Sequence, residues 1–426
     1  MAKSDVSKLA LLGGRRAVDR PAPAWPVTGD LEVAWMEGVV RSGKWSWLGP
    51  HERAFCEEFA SFIGARHAML LANGTVTIQV ALQAVGVRPG DEVIVPGLTW
   101  TATMQAALDI GANVVLVDID PETYCIDPAA VESAITPRTK AVVPVHLYGC
   151  MCDMDALTDI AKRHNLKIVE DVAHQHGSRW RGRGAGALGD AASFSFQQSK
   201  VLTCGEGGAV TCNDDVVFET AFCLKHVGWM PDLQTRGNRY GHNYRGTEMQ
   251  AVLLRGGLRR IGEQLRIREE NAHLLAEGFQ EIGGAIRVAR RDPRVTRQSY
   301  YALTLHFDKA KAGGLDRAQY VAALAAEGLP LSPTYAPVYR NPLLNLYHEA
   351  SPVPFRETVP QDYANLRLPV TERVAEEDGL VLMHMHLLGE RAYIEQLLAA
   401  ARKVQDHLPE LAKHFAQEAS GEQEAS

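Results

Sequence analysis

A chain of 426 residues, 46% apolar and 22% charged, has an ordinary soluble profile and is too long for one hydrophobic core, so two or three domains are expected. Its net charge of −7 leaves no basic footprint for nucleic acid and no attraction to an anionic membrane. No apolar stretch reaches membrane-helix length, Met1-Ala2-Lys3-Ser4-Asp5 lacks the apolar core of a signal peptide, and seven scattered cysteines fit a reduced cytoplasmic protein without a disulfide framework.

The proline-rich segment Pro21-Ala22-Pro23-Ala24-Trp25-Pro26 predicts an irregular arm over residues 1–30. Helical periodicity begins near Leu31, breaks in a loop over 41–50 and resumes over 53–63. Short β-branched strands follow at 67–71, 92–95, 114–117, 141–145 and 167–169, with helices at 77–85, 101–110 and 154–164. This alternation predicts an α/β fold with a largely parallel sheet covered on both faces, whose ligands collect beyond the carboxyl ends of the strands. Asn73, Trp100, His146 and Asp171 each follow a strand closely and are expected to meet at one crevice. The large domain runs over 31–265. A strand at 300–307 and helices at 317–327 and 391–408 then predict a smaller C-terminal α/β domain over 266–412. The tail, 413–426, is polar toward its end and is expected to be disordered.

Lys200 carries the strongest chemical signal. It ends Phe194-Ser195-Phe196-Gln197-Gln198-Ser199-Lys200, ahead of Gly205-Glu206-Gly207-Gly208 and about thirty residues after Asp171. A strand-end carboxylate, then a lysine between a hydroxyl residue and a glycine cluster, suits a pyridoxal phosphate (PLP) enzyme. The lysine can hold the aldehyde as a Schiff base, and the carboxylate can keep the pyridine nitrogen protonated. Asp171 needs such a partner if buried, its rival role being a helix cap. Asn73-Gly74-Thr75, between strand and helix, can bring backbone amides to a phosphate or simply start a helix. Ser195 can hold a phosphate oxygen, and Trp100 can pack on a flat ring or in the core.

His174 can pack over the cofactor or meet its phenolic oxygen, whereas His176 reads as structural. No metal site is expected: Cys150 and Cys152 lack zinc spacing, and His174 with His176 lacks a third ligand. The glycine-rich stretch 182–189 is a hairpin-like loop rather than a dinucleotide fingerprint. His384 and His386, on an alternating apolar run, read as core or interface residues.

In order and spacing these residues resemble the DegT-type family of PLP-dependent sugar and cyclitol aminotransferases. The likeness rests on Asn73-Gly74-Thr75, Val95 through Thr103, Pro144 through Gly149, Glu170-Asp171, Phe194 through Gly208 and Gly241-His242-Asn243-Tyr244-Arg245. Asp120 through Pro128, Arg297 through Tyr301 and Pro333 through Pro342 resemble the glutamine-dependent inosose aminotransferases of aminocyclitol antibiotic pathways. Ala173 through Gly177 resembles 3-amino-5-hydroxybenzoate synthase.

The resemblance implies the fold-type I aminotransferase architecture, with a mostly parallel seven-stranded sheet in the large domain. It implies Lys200 as the covalent anchor, Asp171 on the ring nitrogen, Gly74, Thr75 and Ser195 on the phosphate, and Trp100 on the ring. Asn243 would reach the phosphate of the neighbouring subunit, giving a homodimer with shared active sites. Tyr335, Arg245 and Tyr300 are candidate substrate contacts, Arg245 for the donor carboxylate. The implied reaction moves an amino group from L-glutamine or glutamate to a keto-cyclitol or ketosugar, with pyridoxamine phosphate as the intermediate form. Two departures stand out: His174 occupies a usual glutamine position, and Pro333 or Thr334 replaces a usual histidine. Lysine at 200 argues against the family's dehydratase branch, where histidine stands.

Overall fold

The computed structural model describes residues 8–237, 240–341 and 361–424. Its strands are β1 (His67–Leu71), β2 (Glu92–Pro96), β3 (Asn113–Val117), β4 (Thr139–Val142), β5 (Lys167–Asp171), β6 (Arg179–Trp180), β7 (Arg183–Gly184), β8 (Ala191–Ser195) and β9 (Gly208–Cys212) in the first half. In the second half they are β10 (Ile286–Val288), β11 (Val295–Arg297), β12 (Ala302–Phe307), β13 (Ser332–Pro333) and β14 (Gly379–Met383).

Seven of these form one sheet in the order β1-β9-β8-β5-β4-β2-β3. From β3 to β8 every pairing is parallel, and β9 runs antiparallel to both β8 and β1. β2 and β3 are buried along their whole length, as a sheet covered on both faces requires. Val93 and Val95 pack with Ile78 and Leu82 of the helix Gly74–Ala84, while Ile94 joins a second core with Phe55 and Phe59 of the helix Pro50–Ile63. The period-2 alternation of one strand thus feeds both layers. The strand expected at 141–145 stops at Val142, two residues before Pro144, which has no N–H for the ladder.

A second sheet, β10-β12-β14-β13, is antiparallel and carries the C-terminal core. The helix Glu248–Ile282 joins the two halves. Leu254, Ile261 and Leu265 belong to the core of the large sheet, and Ala272, Leu275 and Phe279 to the C-terminal one. The boundary expected between 265 and 266 therefore falls inside one continuous helix. Its start is capped reciprocally by Thr247 and Gln250, and it ends at Gly283 in the left-handed region.

The described residues of the N-terminal arm, from 8 onward, are irregular apart from one turn at Ala10–Leu12, yet they are pinned down. Leu9 and Val18 enter the C-terminal core. The buried Glu327 carboxylate accepts the Ala10 and Ala17 amides at 2.7 and 2.9 Å and pairs with Lys403 at 3.0 Å. The tail expected to be disordered continues as the helix Leu408–Glu424, anchored by buried Leu411. β14 ends at Met383, so the alternation read through His384 and His386 does not exist there; a one-turn helix follows at His386–Leu388.

Candidate active site

The carboxyl ends of β1, β2, β5 and β8 open onto a cavity of about 390 Å³. Asn73-Gly74-Thr75, Trp100, Asp171, His174, Ser195, Lys200 and Tyr335 all line it. Asn73 caps the helix after β1 by accepting the Val76 amide at 3.0 Å, which leaves the Gly74 and Thr75 amides at the helix start without an intrahelical acceptor. A Cβ at Gly74 would stand 2.7 Å from that of Ser195, and one at Gly208 would stand 2.6 Å from the Asn73 backbone. Both glycines are needed for this close approach, which leaves an amide-lined cradle beside the Ser195 hydroxyl.

After β8 the chain turns tightly, with Phe196 N–H on Gly207, Gln198 N–H on Gly205 and Lys200 N–H on Gln197, each at 2.8 Å. Gly205 occupies the left-handed region at φ +88°, and the glycine cluster is the return limb of this turn. Lys200 Nζ lies 4.3 Å from the centre of the Tyr301 ring. Burial pushes the Lys200 pKa down to about 8, against the pull of the Asp171 carboxylate.

Asp171 is 5% exposed. It accepts Thr103 Oγ1–H at 2.9 Å and the Ala173 amide at 3.1 Å, and among the described residues no cationic side chain forms an ion pair with it. Burial raises its pKa despite these bonds. This is the seat a cationic N–H would complete, and the cradle suits a phosphate, so the residues present fit PLP.

His174 is buried, and its Nδ1 accepts the Tyr148 amide at 3.1 Å. Its proton therefore sits on Nε2. Burial holds its pKa well below the usual histidine value, and the ring stacks on Tyr301 at 3.9 Å. Trp100, 59% exposed, stands at the mouth 5.6 Å from Tyr335, whose amide donates to Tyr148 Oη at 2.7 Å.

Other expected residues lie elsewhere. His146 turns away from the crevice: its Nδ1 accepts the Cys152 amide, and its Nε2 donates to Glu170 at 3.1 Å, both side chains being fully buried. Tyr300 enters the C-terminal core against Gly149. Arg245 meets His226 Nδ1 at 2.8 Å over the Trp47 ring, and Asn243 is exposed on the same segment. Neither borders this chain's cavity. His176 donates to the Ser195 carbonyl at 2.9 Å, a framework contact. Stretch 182–189 contains β7 of the β6–β7 hairpin and sends the amides of Gly186, Leu188 and Gly189 to Glu170. Thr103 and Tyr301 were missed. Both are next to singled-out residues, Thr103 one helical turn after Trp100 and Tyr301 beside Tyr300.

A family model matches residues 27–403: the DegT/DnrJ/EryC1/StrS aminotransferase family. The chain belongs to this family. Its aminotransferases are PLP-dependent, and this chain shares their α/β fold. A DegT-family relative in Streptoalloteichus tenebrarius, an L-glutamine:2-deoxy-scyllo-inosose aminotransferase, is 39% identical over 95% of this chain and 99% of its own. Another protein of that organism, to which L-glutamine:3-amino-2,3-dideoxy-scyllo-inosose aminotransferase activity is provisionally assigned, is 41% identical, with 95% and 99% covered. Among solved structures, 3-amino-5-hydroxybenzoic acid synthase superposes with a TM-score of 0.79 at 35% identity, covering 92% of this chain and 99% of that one. Among the described residues no helix is long and apolar enough to cross a membrane.

Proposed function

We propose that this DegT-family chain transfers the amino group of L-glutamine to a keto-cyclitol of the inosose class, using PLP and passing through its pyridoxamine form. The observation that carries the reading is the pairing, across one cavity, of a lysine with a lowered pKa and a buried carboxylate without a cation. When bound, PLP supplies an electron sink for the bonds at the donor's α-carbon.

The protein's own groups supply the rest. Lys200 would be the covalent anchor; displaced by the donor's amine, its neutral Nζ would take the donor's α-proton and return it to the carbon that had held the lysine. Asp171 accepts the ring N–H and keeps it charged. Gly74 and Thr75 amides and the Ser195 hydroxyl hold the phosphate at the helix start. Trp100 would pack on the ring, and His174 Nε2–H would donate to the phenolic oxygen in place of the family's usual glutamine. Tyr335 faces the substrate, and Tyr301 takes the place expected of Tyr300.

The position of the exposed Asn243 and the half-buried Arg245, off this chain's own cavity, supports a homodimer with shared sites, in which they would serve the neighbouring subunit's phosphate and donor carboxylate. The odd cysteine count supports a cytoplasmic location. One observation favours a second reading, 3-amino-5-hydroxybenzoate synthase-like dehydration: His174 stands where that enzyme's likeness is strongest.

The test is an absorbance spectrum with PLP before and after adding L-glutamine, expected to move from a band near ~410–420 nm toward ~330 nm. Challenge with 2-deoxy-scyllo-inosose, scyllo-inosose and nucleotide-linked ketosugars then identifies the acceptor. Response to glutamate alone would discard the inosose branch, and no response to any amino donor would overturn the aminotransferase reading.

A further inference from the structure

Behind the lysine turn lies a set of groups the proposed reaction does not use. Arg268, midway along Glu248–Ile282, is fully buried. Its Nη2 meets His384 Nδ1 at 3.1 Å, and among the described residues its Nε and Nη1 have no hydrogen-bond partner and no carboxylate pairs with it. Its guanidinium lies 5.2 Å from the centre of the Trp25 ring, and that ring meets His384 edge-on at 4.6 Å.

Hydrogen-bond logic makes this more than packing. A guanidinium only donates, so His384 Nδ1 must accept, and the imidazole proton is forced onto Nε2. That nitrogen lies 2.9 Å from the Ser199 carbonyl, to which it therefore donates. Trp25 Nε1 donates to the preceding carbonyl, that of Gln198, at 3.1 Å. Two successive carbonyls just before Lys200 are thus held from outside, one by the N-terminal arm and one by the C-terminal half. On the cavity side, Ser199 Oγ reaches Tyr301 Oη at 3.1 Å, beneath the lysine amine.

We propose that Arg268, His384 and Trp25 are positioning residues that clamp the lysine turn and thereby aim Lys200 Nζ. A buried cation without a carboxylate partner is a poor stability device, since its desolvation cost is not offset by an ion pair. What it supplies instead is the tautomer it imposes on His384.

This inference rests on the PLP reading, and its test separates the two. Purified full-length apo-protein is mixed with PLP, the covalent adduct is trapped with borohydride, and labelling of Lys200 is timed by mass spectrometry. Wild type that never labels Lys200 would overturn the PLP reading itself. With wild type labelling normally, Arg268→Met and His384→Leu are expected to slow labelling and lower kcat roughly ten- to hundredfold, while the donor KM stays within about twofold. His384→Gln, whose amide N–H still reaches the Ser199 carbonyl, should recover most of the loss. Trp25→Phe, which keeps the ring and drops the N–H, should have a smaller effect of the same kind. If Arg268→Met fails to fold, the two His384 variants decide the question. Wild-type labelling and kcat in folded Arg268→Met and His384→Leu would overturn the clamp, as would equal behaviour of His384→Gln and His384→Leu.

Discussion

Glu170 and Asp171 are successive residues at the end of β5, both buried, on opposite faces of one strand. Glu170 receives His146 Nε2–H and three amides, from Gly186, Leu188 and Gly189, at 2.8 to 3.1 Å. Asp171 receives one hydroxyl and one amide. The first carboxylate is complete within the fold and organises a loop; the second remains short of a partner and faces a cavity. Incomplete satisfaction, rather than burial or sequence position, separates the chemical residue from the architectural one.

The sharpest break in this contrast comes from the residue opposite Asp171. Lys200→Ala is expected to abolish turnover, measured as amino transfer from glutamine, and turnover near wild type would remove the lysine from the mechanism. Asp171→Asn should lower kcat roughly 10²–10³-fold, as loss of a preorganised electrostatic group does. Because burial raises the Asp171 pKa above its unfolded value, ionisation costs the empty protein stability as pH rises through the ordinary carboxylate range. The empty Asp171→Asn protein should therefore melt no lower than wild type at pH 7.

Covalent loading by PLP should rise about tenfold per pH unit below the Lys200 pKa of about 8 and level off above it, because only the neutral amine attacks. Thr103→Val, which takes one bond from Asp171, should cost roughly fivefold in kcat. Glu170→Gln is the counter-test. It should leave kcat per folded molecule unchanged and lower stability by about 2 kcal/mol in denaturant melts, as expected when charge-assisted bonds are lost.

Much of this was legible in the sequence because it is local. β-branched runs marked the large sheet, and Asp171, Lys200 and the glycines around them carry their chemistry in short segments. What depends on long-range register was not legible. Which of Tyr300 and Tyr301 faces the cavity is decided by where β12 begins and how it lies on the first half. His146 follows a strand as Asn73 does, but a buried carboxylate on the neighbouring strand captures it. Arg268 sits in a helix otherwise rich in surface arginines, and nothing along that helix distinguishes it; its neighbours come from residues 25 and 384. The tail reads as too polar to order, yet Leu408 and Leu411 enter the C-terminal core and Phe415 packs against it.

The helix Glu248–Ile282 spans 35 residues, about 50 Å of continuous rod, and contributes side chains to both cores. A beam embedded at both ends transmits displacement instead of absorbing it. Opening the two halves like a clamshell would require bending that beam or tearing one end from its core. Movement at the cavity is then left to the side chains around its mouth, where the exposed Trp100 stands.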